Sequence, residues 1–148
     1  PWSLVIDGQA SPRSLFIGER DSEVEILQAT LIEDIHARDL QRRILVVVVG
    51  EFGRTPAMRY GVPNRSYGRD HWPQAYSALV AGGSLNMGQI VGATNSKSEY
   101  PTERPYTPQD LLATIYHHLG IDHSQTFDDF RGRPVHILSD AKPIAELI

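Results

Sequence analysis

An α/β domain with a mostly parallel sheet flanked by helices is the architecture this sequence predicts, and three observations predict it. Residues 44–49, Ile-Leu-Val-Val-Val-Val, form an unbroken apolar run rather than an alternating one. A strand of that kind expects cover on both faces, which is the habit of parallel sheets. Two further stretches carry apolar residues at helical spacing, and the elements follow in the order strand, helix, strand, strand, strand, helix.

Each element has its own warrant. Leu4-Val5-Ile6 reads as a short strand that ends in a turn at Asp7-Gly8. Residues 9–18 are irregular, punctuated by Pro12 and Gly18. A helix from Asp21 or Ser22 to Arg38 sets Val24, Leu27, Leu31, Ile32 and Ile35 on one face. Glu23 and Glu25 suit the positive end of its dipole, and Arg38, Arg42 and Arg43 gather at the other end. After a long polar loop, residues 75–80 form a second apolar strand closed by Gly82-Gly83, and residues 89–93 a weaker third. Residues 101–105 are an extended loop. The second helix is marked at both ends: Thr107 as N-cap, Pro108 in the first helical position, Asp110 as the capping-box acid and Gly120 as the stop. Leu111, Leu112, Ile115 and Leu119 supply its apolar face. A polar stretch to Arg133, a short extended Val135-His136-Ile137-Leu138 and a last turn near Ile144 complete the chain.

Composition narrows the functional classes. With 148 residues, 41% of them hydrophobic and 22% charged, the chain has the size and character of a single folded domain spanning 1–148. A net charge of -4 argues against nucleic acid as a partner. No apolar run approaches the roughly 18 residues of a membrane span, and no signal peptide stands at the start. The absence of cysteine excludes disulfides, thiolate zinc sites and thiol catalysis. The first residue is Pro1 and the only methionines are Met58 and Met87, so a processed or excerpted piece of a longer protein is expected.

The polar loop after the valine run carries the chemistry. It reads GEFGRTPAMRYGVPNRSYGRDHWP over 50–73, long, charged and mixed in sign. Ligands in open α/β sheets collect beyond the carboxyl ends of strands, and Glu51 stands two residues past Val49. A carboxylate there suits a divalent cation, and the imidazole of His71 with Asp70 beside it suits zinc or another transition metal. Arg54 and Arg69 offer planar forks for phosphate, sulfate or carboxylate oxygens, with Thr55 alongside. A second reading stands next to this one: Glu51 pairs with Arg54 or Arg69, and His71 is a hydrogen-bonded wall residue. The adjacent His117 and His118 diverge by about 100° on a helix and read as surface or core-edge residues, while His36, His123 and His136 need no further role. Asn64-Arg65-Ser66 fits a glycosylation sequon, a pattern short enough to arise by chance. No phosphate-loop, dinucleotide or nucleophile-elbow pattern occurs.

Several motifs in fixed order resemble one family. GEFGRTP, GRDHWP, the Ala-Gly-Gly after the next strand, VGATNSKSEYP, TPQDLLATIYHHLGID and RGRPVHIL are similar to the domain-of-unknown-function family 1501, sulfatase-like proteins placed in the alkaline phosphatase superfamily. The likeness runs from about 29 to 148. It implies a partial alkaline-phosphatase-like α/β/α sandwich with metal ligands at the carboxyl ends of strands: Glu51 as the acidic ligand, His71 as the later histidine and Asp70 as ligand or orienting partner. It implies anion contacts from Arg54 and Arg69, with a divalent metal (zinc, manganese or calcium) as cofactor. The pattern is incomplete here. No segment matches the nucleophile half, Ile6-Asp7-Gly8-Gln9 stands where relatives carry an Asp/His-rich motif, and Glu51-Phe52 replaces an Asp-His pair. The resulting expectation is the C-terminal portion of a metal-dependent sulfate- or phosphate-ester hydrolase-like protein; the alternative is a catalytically inactive binding or scaffold protein. An anionic ester is the expected substrate, and the missing N-terminal half or a second copy the expected partner. A periplasmic or secreted location is implied by the resemblance alone.

Overall fold

The computed structural model describes residues 4–7, 22–60 and 67–148. In chain order the elements are β1 (Leu4–Asp7), α1 (Ser22–Ala37), β2 (Leu45–Val49), β3 (Gly53–Arg54), β4 (His71–Trp72), β5 (Tyr76–Gly82), β6 (Ile90–Val91), β7 (Ala93–Thr94), β8 (Pro101–Glu103), α2 (Pro108–His118), β9 (Thr126–Asp128) and β10 (Pro134–His136). The turn at Gly8, the irregular segment 9–18, a helix start at Asp21, the side chain of Val24 and the sequon at Asn64-Arg65-Ser66 lie outside the described residues.

The expectation of a mostly parallel α/β/α sandwich of alkaline-phosphatase type is overturned. The one four-stranded sheet has the order β2-β5-β1-β6. Among the described residues only β1 and β5 run parallel, with Leu4 opposite Tyr76. The β2–β5 and β1–β6 pairs are antiparallel, as are the two-stranded pairs β3–β4, β7–β8 and β9–β10. The physical reason lies in the connection 50–75. Its described residues, 50–60 and 67–75, contain no crossover helix, and the chain returns beside β2 in the opposite sense, Leu45 opposite Gly82 and Val49 opposite Ala78. The valine run gave a misleading sign because, among the described residues, β2 stands at the edge of the sheet, half-buried along most of its length.

One core sits under the sheet. Ala78 and Val80 of β5, Val91 of β6, Leu111 of α2, and Ile144 and Leu147 of the C-terminal tail form the buried cluster, with Leu45, Val47, Tyr76, Tyr106 and Ile115 packed against it. Side chains alternate across a strand, so Leu79, also buried, belongs to the opposite face, the one without the α2 cluster. Helix α1 buries Ile35 and half-buries Ile32 but leaves Leu27 69% and Leu31 50% exposed, so part of its predicted apolar face is uncovered. On α2, likewise, Leu112 and Leu119 are exposed, while Ala113 and Thr114 are buried. No helix among the described residues is long and apolar enough to cross a membrane.

The ends of the elements follow the sequence closely. The Thr107 side chain accepts from the Asp110 amide and the Asp110 carboxylate accepts from the Thr107 amide, the reciprocal capping box. Gly82 ends β5 at φ +82, where a Cβ would lie 2.3 Å from the Ile44 carbonyl oxygen, so only glycine closes that turn.

The C-terminal tail is tied to α2 by side chains. Thr114, fully buried, donates its hydroxyl to the Asp110 carbonyl (2.8 Å) and accepts from the Ile144 amide (2.9 Å). The second carboxylate oxygen of Asp110 accepts from the Lys142 amide at 3.0 Å. Further along, the Tyr106 hydroxyl donates to the Glu146 carboxylate, and Arg104 pairs with its other oxygen at 3.2 Å. The bond from Tyr106, and then Arg104, hold the Glu146 carboxyl below its ordinary range. Burial, and then the same bond and the charge of Glu146, push Tyr106 up to about 12.

Two tests follow from these ties. Replacement Thr114→Val keeps the shape but strands the buried Ile144 amide, and should cost about 1–3 kcal/mol in urea unfolding. Thr114→Ser, which keeps the hydroxyl, should cost clearly less; equal losses would show that packing rather than the hydrogen bond matters. Glu146 holds its proton less readily when folded, so its contribution is present above the ordinary value of 4.5 and fades as pH falls through the lower folded value. Tyr106 holds its proton more tightly, so its contribution is complete below 10.0 and fades as pH rises toward about 12. Thermal midpoints should drop at both limits, and Glu146→Gln should flatten the acid limb.

Candidate functional site

The loop that the sequence marked is an arm built as a short antiparallel ladder. Gly53 pairs with Trp72 and Arg54 with His71. The Thr55 amide donates to the Asp70 carbonyl, and the Asp70 amide donates to the Thr55 hydroxyl, each at 2.9 Å. The Arg59 amide reaches the Gly68 carbonyl at 2.8 Å. Thr55 therefore acts in the ladder, with its own hydroxyl donating to the Ala57 carbonyl.

Glycine sets how close the arm lies to the sheet. A Cβ on Gly53 would stand 1.9 Å from the Ala75 carbonyl oxygen, so β3 rests directly on the backbone that enters β5. On the far side Trp72 donates its indole N–H to the Glu99 carbonyl at 2.7 Å and its ring meets Tyr100 at 5.8 Å. Glu99 is fixed in turn: its amide donates to the Asn95 side-chain oxygen, and its carboxylate accepts from the Asn95 side-chain nitrogen. Arm, sheet and the turn at 95–100 thus meet at one place.

Between them opens a cleft of about 390 Å³. Its lining is drawn from the arm (Gly50, Phe52, Gly53, Arg54 and Arg69), the entry to β5 (Ala75, Tyr76 and Ser77) and the segment after β6 (Thr94 and Ser98). It sits where β2 ends and β5 begins. Phe52 has two partners: His71 stacks on it with centroids 3.9 Å apart and planes 30° off parallel, and the Arg54 guanidinium lies over the ring, 5.6 Å from its centroid. Among the described residues neither Arg54 nor Arg69 is ion-paired, whereas Arg38, Arg59, Arg104 and Arg133 each have a carboxylate. Burial raises the Tyr76 phenol above its ordinary value, so this side chain stays neutral.

The site residues read from sequence divide into two groups. Arg54 and Arg69 converge on the cleft. Asp70, expected beside His71 as ligand or orienting partner, has its carboxylate paired with Arg59. His71 is exposed and stacked, and Glu51 is exposed and absent from the cleft lining. The pairing of Glu51 with Arg54 or Arg69 does not occur among the described residues. No three His, Asp or Glu side chains among the described residues gather as a metal centre would need. Of the other histidines, His118 bonds the Gly83 carbonyl, His123 the Ala141 carbonyl and His136 the Ser124 carbonyl, ordinary structural roles. Sequence reasoning missed Phe52, Tyr76, Ser77, Thr94 and Ser98. Only VGATNSKSEYP, as a motif, pointed toward the last two.

Taken together, these features define a small mixed α/β domain with an arginine-flanked cleft at one sheet end. The family described as protein of unknown function (DUF1501) matches residues 20–148, and the chain belongs to it. No curated protein and no solved structure matches the chain.

Because β3 rests on the β5 entry, Gly53→Ala should force the arm off the sheet. We expect a loss of about 1–3 kcal/mol in chemical denaturation, together with increased solvent access of Trp72 by fluorescence quenching. An Ala variant as stable as the parent would show that the arm is not seated as described.

Proposed function

We propose that the chain is an anion-recognition domain whose cleft binds the sulfate or phosphate group of an ester, without carrying out its hydrolysis alone. The observation that carries this reading is the pair of guanidinium groups, Arg54 and Arg69, lining one cleft with no carboxylate to neutralise either among the described residues. Planar N–H forks match tetrahedral oxyanions. Ser77, Thr94 and Ser98, also in the lining, are hydroxyl residues that suit an anion as donors. Tyr76, kept neutral by burial, introduces no competing charge.

The same lining supports the inactive alternative over turnover by these residues. No nucleophile is paired with a base in the cleft: the two serines and the threonine there have no histidine or carboxylate within hydrogen-bond reach among the described residues. Glu51 and His71 remain available as contributors to a divalent-cation site that other residues would complete, and Asp70 only at the expense of its pairing with Arg59.

Calorimetric titration with inorganic sulfate, phosphate and p-nitrophenyl sulfate tests the reading. Each charge-assisted contact contributes about 1.5–3 kcal/mol, so Arg54→Ala and Arg69→Ala should each weaken binding roughly tenfold to 150-fold. Arg131→Ala, outside the cleft, should leave it unchanged. Parent protein that ignores all three anions at millimolar concentration, or arginine variants that bind equally well, would sink the proposal. Release of p-nitrophenol with zinc, manganese or calcium supplied would replace it with the hydrolase reading.

A further inference from the structure

The charge that lines the cleft is of one sign. Arg54 and Arg69 are the charged side chains of its lining, and neither is ion-paired among the described residues. The carboxylates of the same arm are engaged elsewhere or turned out. Asp70 is bound to Arg59, and Glu51 is exposed and absent from the lining. The sequence 61–66, Gly-Val-Pro-Asn-Arg-Ser, adds no acid to the arm. Tyr76 is held neutral by burial. Ser77, Thr94 and Ser98 can donate, and no carboxylate or imidazole lines the cleft to accept a bond from a protonated oxygen.

Two unneutralised guanidinium groups match two negative charges. We infer that the cleft selects a dianionic ester head, that of a phosphate monoester, over the monoanionic heads of a sulfate monoester or a phosphodiester. The inference rests on the anion-recognition reading and adds the charge that the anion must carry. Shape does not separate the three heads, because all are tetrahedral and guanidinium forks fit the oxygens of each. Charge does, since the second negative charge meets a positive one that no carboxylate of the lining has already offset. The lack of an ionised acceptor acts in the same sense. A head that keeps a proton finds only neutral acceptors for it, so the fully ionised form is favoured. A volume of about 390 Å³ falls in the range of small-molecule sites, roughly 300–1,000 Å³, so there is room for an organic group behind the head.

Phenyl phosphate, phenyl sulfate and methyl phenyl phosphate share a ring and differ in the charge of the head. Titration calorimetry with all three, a chelator present throughout, therefore isolates that charge. Near pH 7.5 phenyl phosphate should bind at least about tenfold tighter than either monoanion. A phosphate monoester takes up its second proton near pH 6, so its advantage over phenyl sulfate should shrink toward unity at about pH 5. The charged and titratable groups around the cleft are Arg54, Arg69 and Tyr76 in the lining, His71 against Phe52, Asp70 bound to Arg59, the exposed Glu51, and Lys97 and Glu99 in the 95–100 turn. An imidazole can change charge in this interval, and phenyl sulfate, whose own charge is fixed, corrects for it at each pH. Arg54→Gln and Arg69→Gln, both at exposed positions, should each lower the phosphate-to-sulfate ratio roughly threefold or more. Equal affinities near neutral pH, tighter binding of phenyl sulfate, or a ratio unmoved by pH or by both arginine variants overturns the inference and leaves the anion-recognition reading standing. Failure of all three compounds to bind at millimolar concentration overturns both.

Discussion

The buried hydroxyl of Thr114 holds the structure's dependencies together. It ties the turn at Ile144 to α2, and Asp110, two roles in one side chain, both caps that helix and anchors Lys142. Those bonds bring Ile144 and Leu147 under β5, where both are buried almost completely. Each such side chain contributes roughly 1.5–3 kcal/mol, against a net stability for a domain of about 5–15 kcal/mol. The tail is therefore structural, and β5 keeps its place because the tail fills the space beneath it. The Asn86 and Gln89 side chains add bonds to the tail backbone at Ile148 and Glu146.

The position of β5 in turn decides the site. The entry to that strand supplies Tyr76 and Ser77 to the cleft lining and the carbonyl on which Gly53 rests. Trp72 fastens the arm to the 95–100 turn. Arg54 is braced against Phe52, and Phe52 against His71. A guanidinium supported by an aromatic face loses less freedom when it meets an anion, so more of the contact energy appears as affinity. His71 thus has a clear task in the stack whether or not it also ligates a cation.

Local signals were legible and tertiary ones were not. Thr107, Pro108, Asp110 and Gly120 gave the bounds of α2 because capping is decided within a few residues. The strand at Tyr76–Gly82 was readable for the same reason, from an apolar run ended by glycines. Sheet direction was not, because the sense of a strand depends on what lies in the connection 50–75, and the valine run reads alike at an edge and in an interior. The helical spacing of Leu27 and Leu31 gave the helix but could not reveal that little covers them. Arg54 and Arg69 were found by their chemistry. Ser77, Thr94 and Ser98 were not, since single hydroxyl residues scattered over the chain carry no pattern until the fold gathers them.

The mixed charge of the 50–73 loop now has a physical explanation. In a loop read as a sequence, Glu51, Arg54, Arg69 and Asp70 look like one site, and opposite charges so close together ought to neutralise one another. The structure sorts them instead. Asp70 is turned to Arg59, Glu51 is left out of the cleft lining, and the two remaining arginines face the cleft with their charge intact. Had Glu51 lined that wall, its carboxylate would have occupied the guanidinium forks, and an incoming anion would have had to displace it. With the acid outside the cleft, the charged side chains that line it are of one sign. The separation falls within a single step of the backbone, at the bend before β3, with Phe52 lining the cleft and Glu51 outside it.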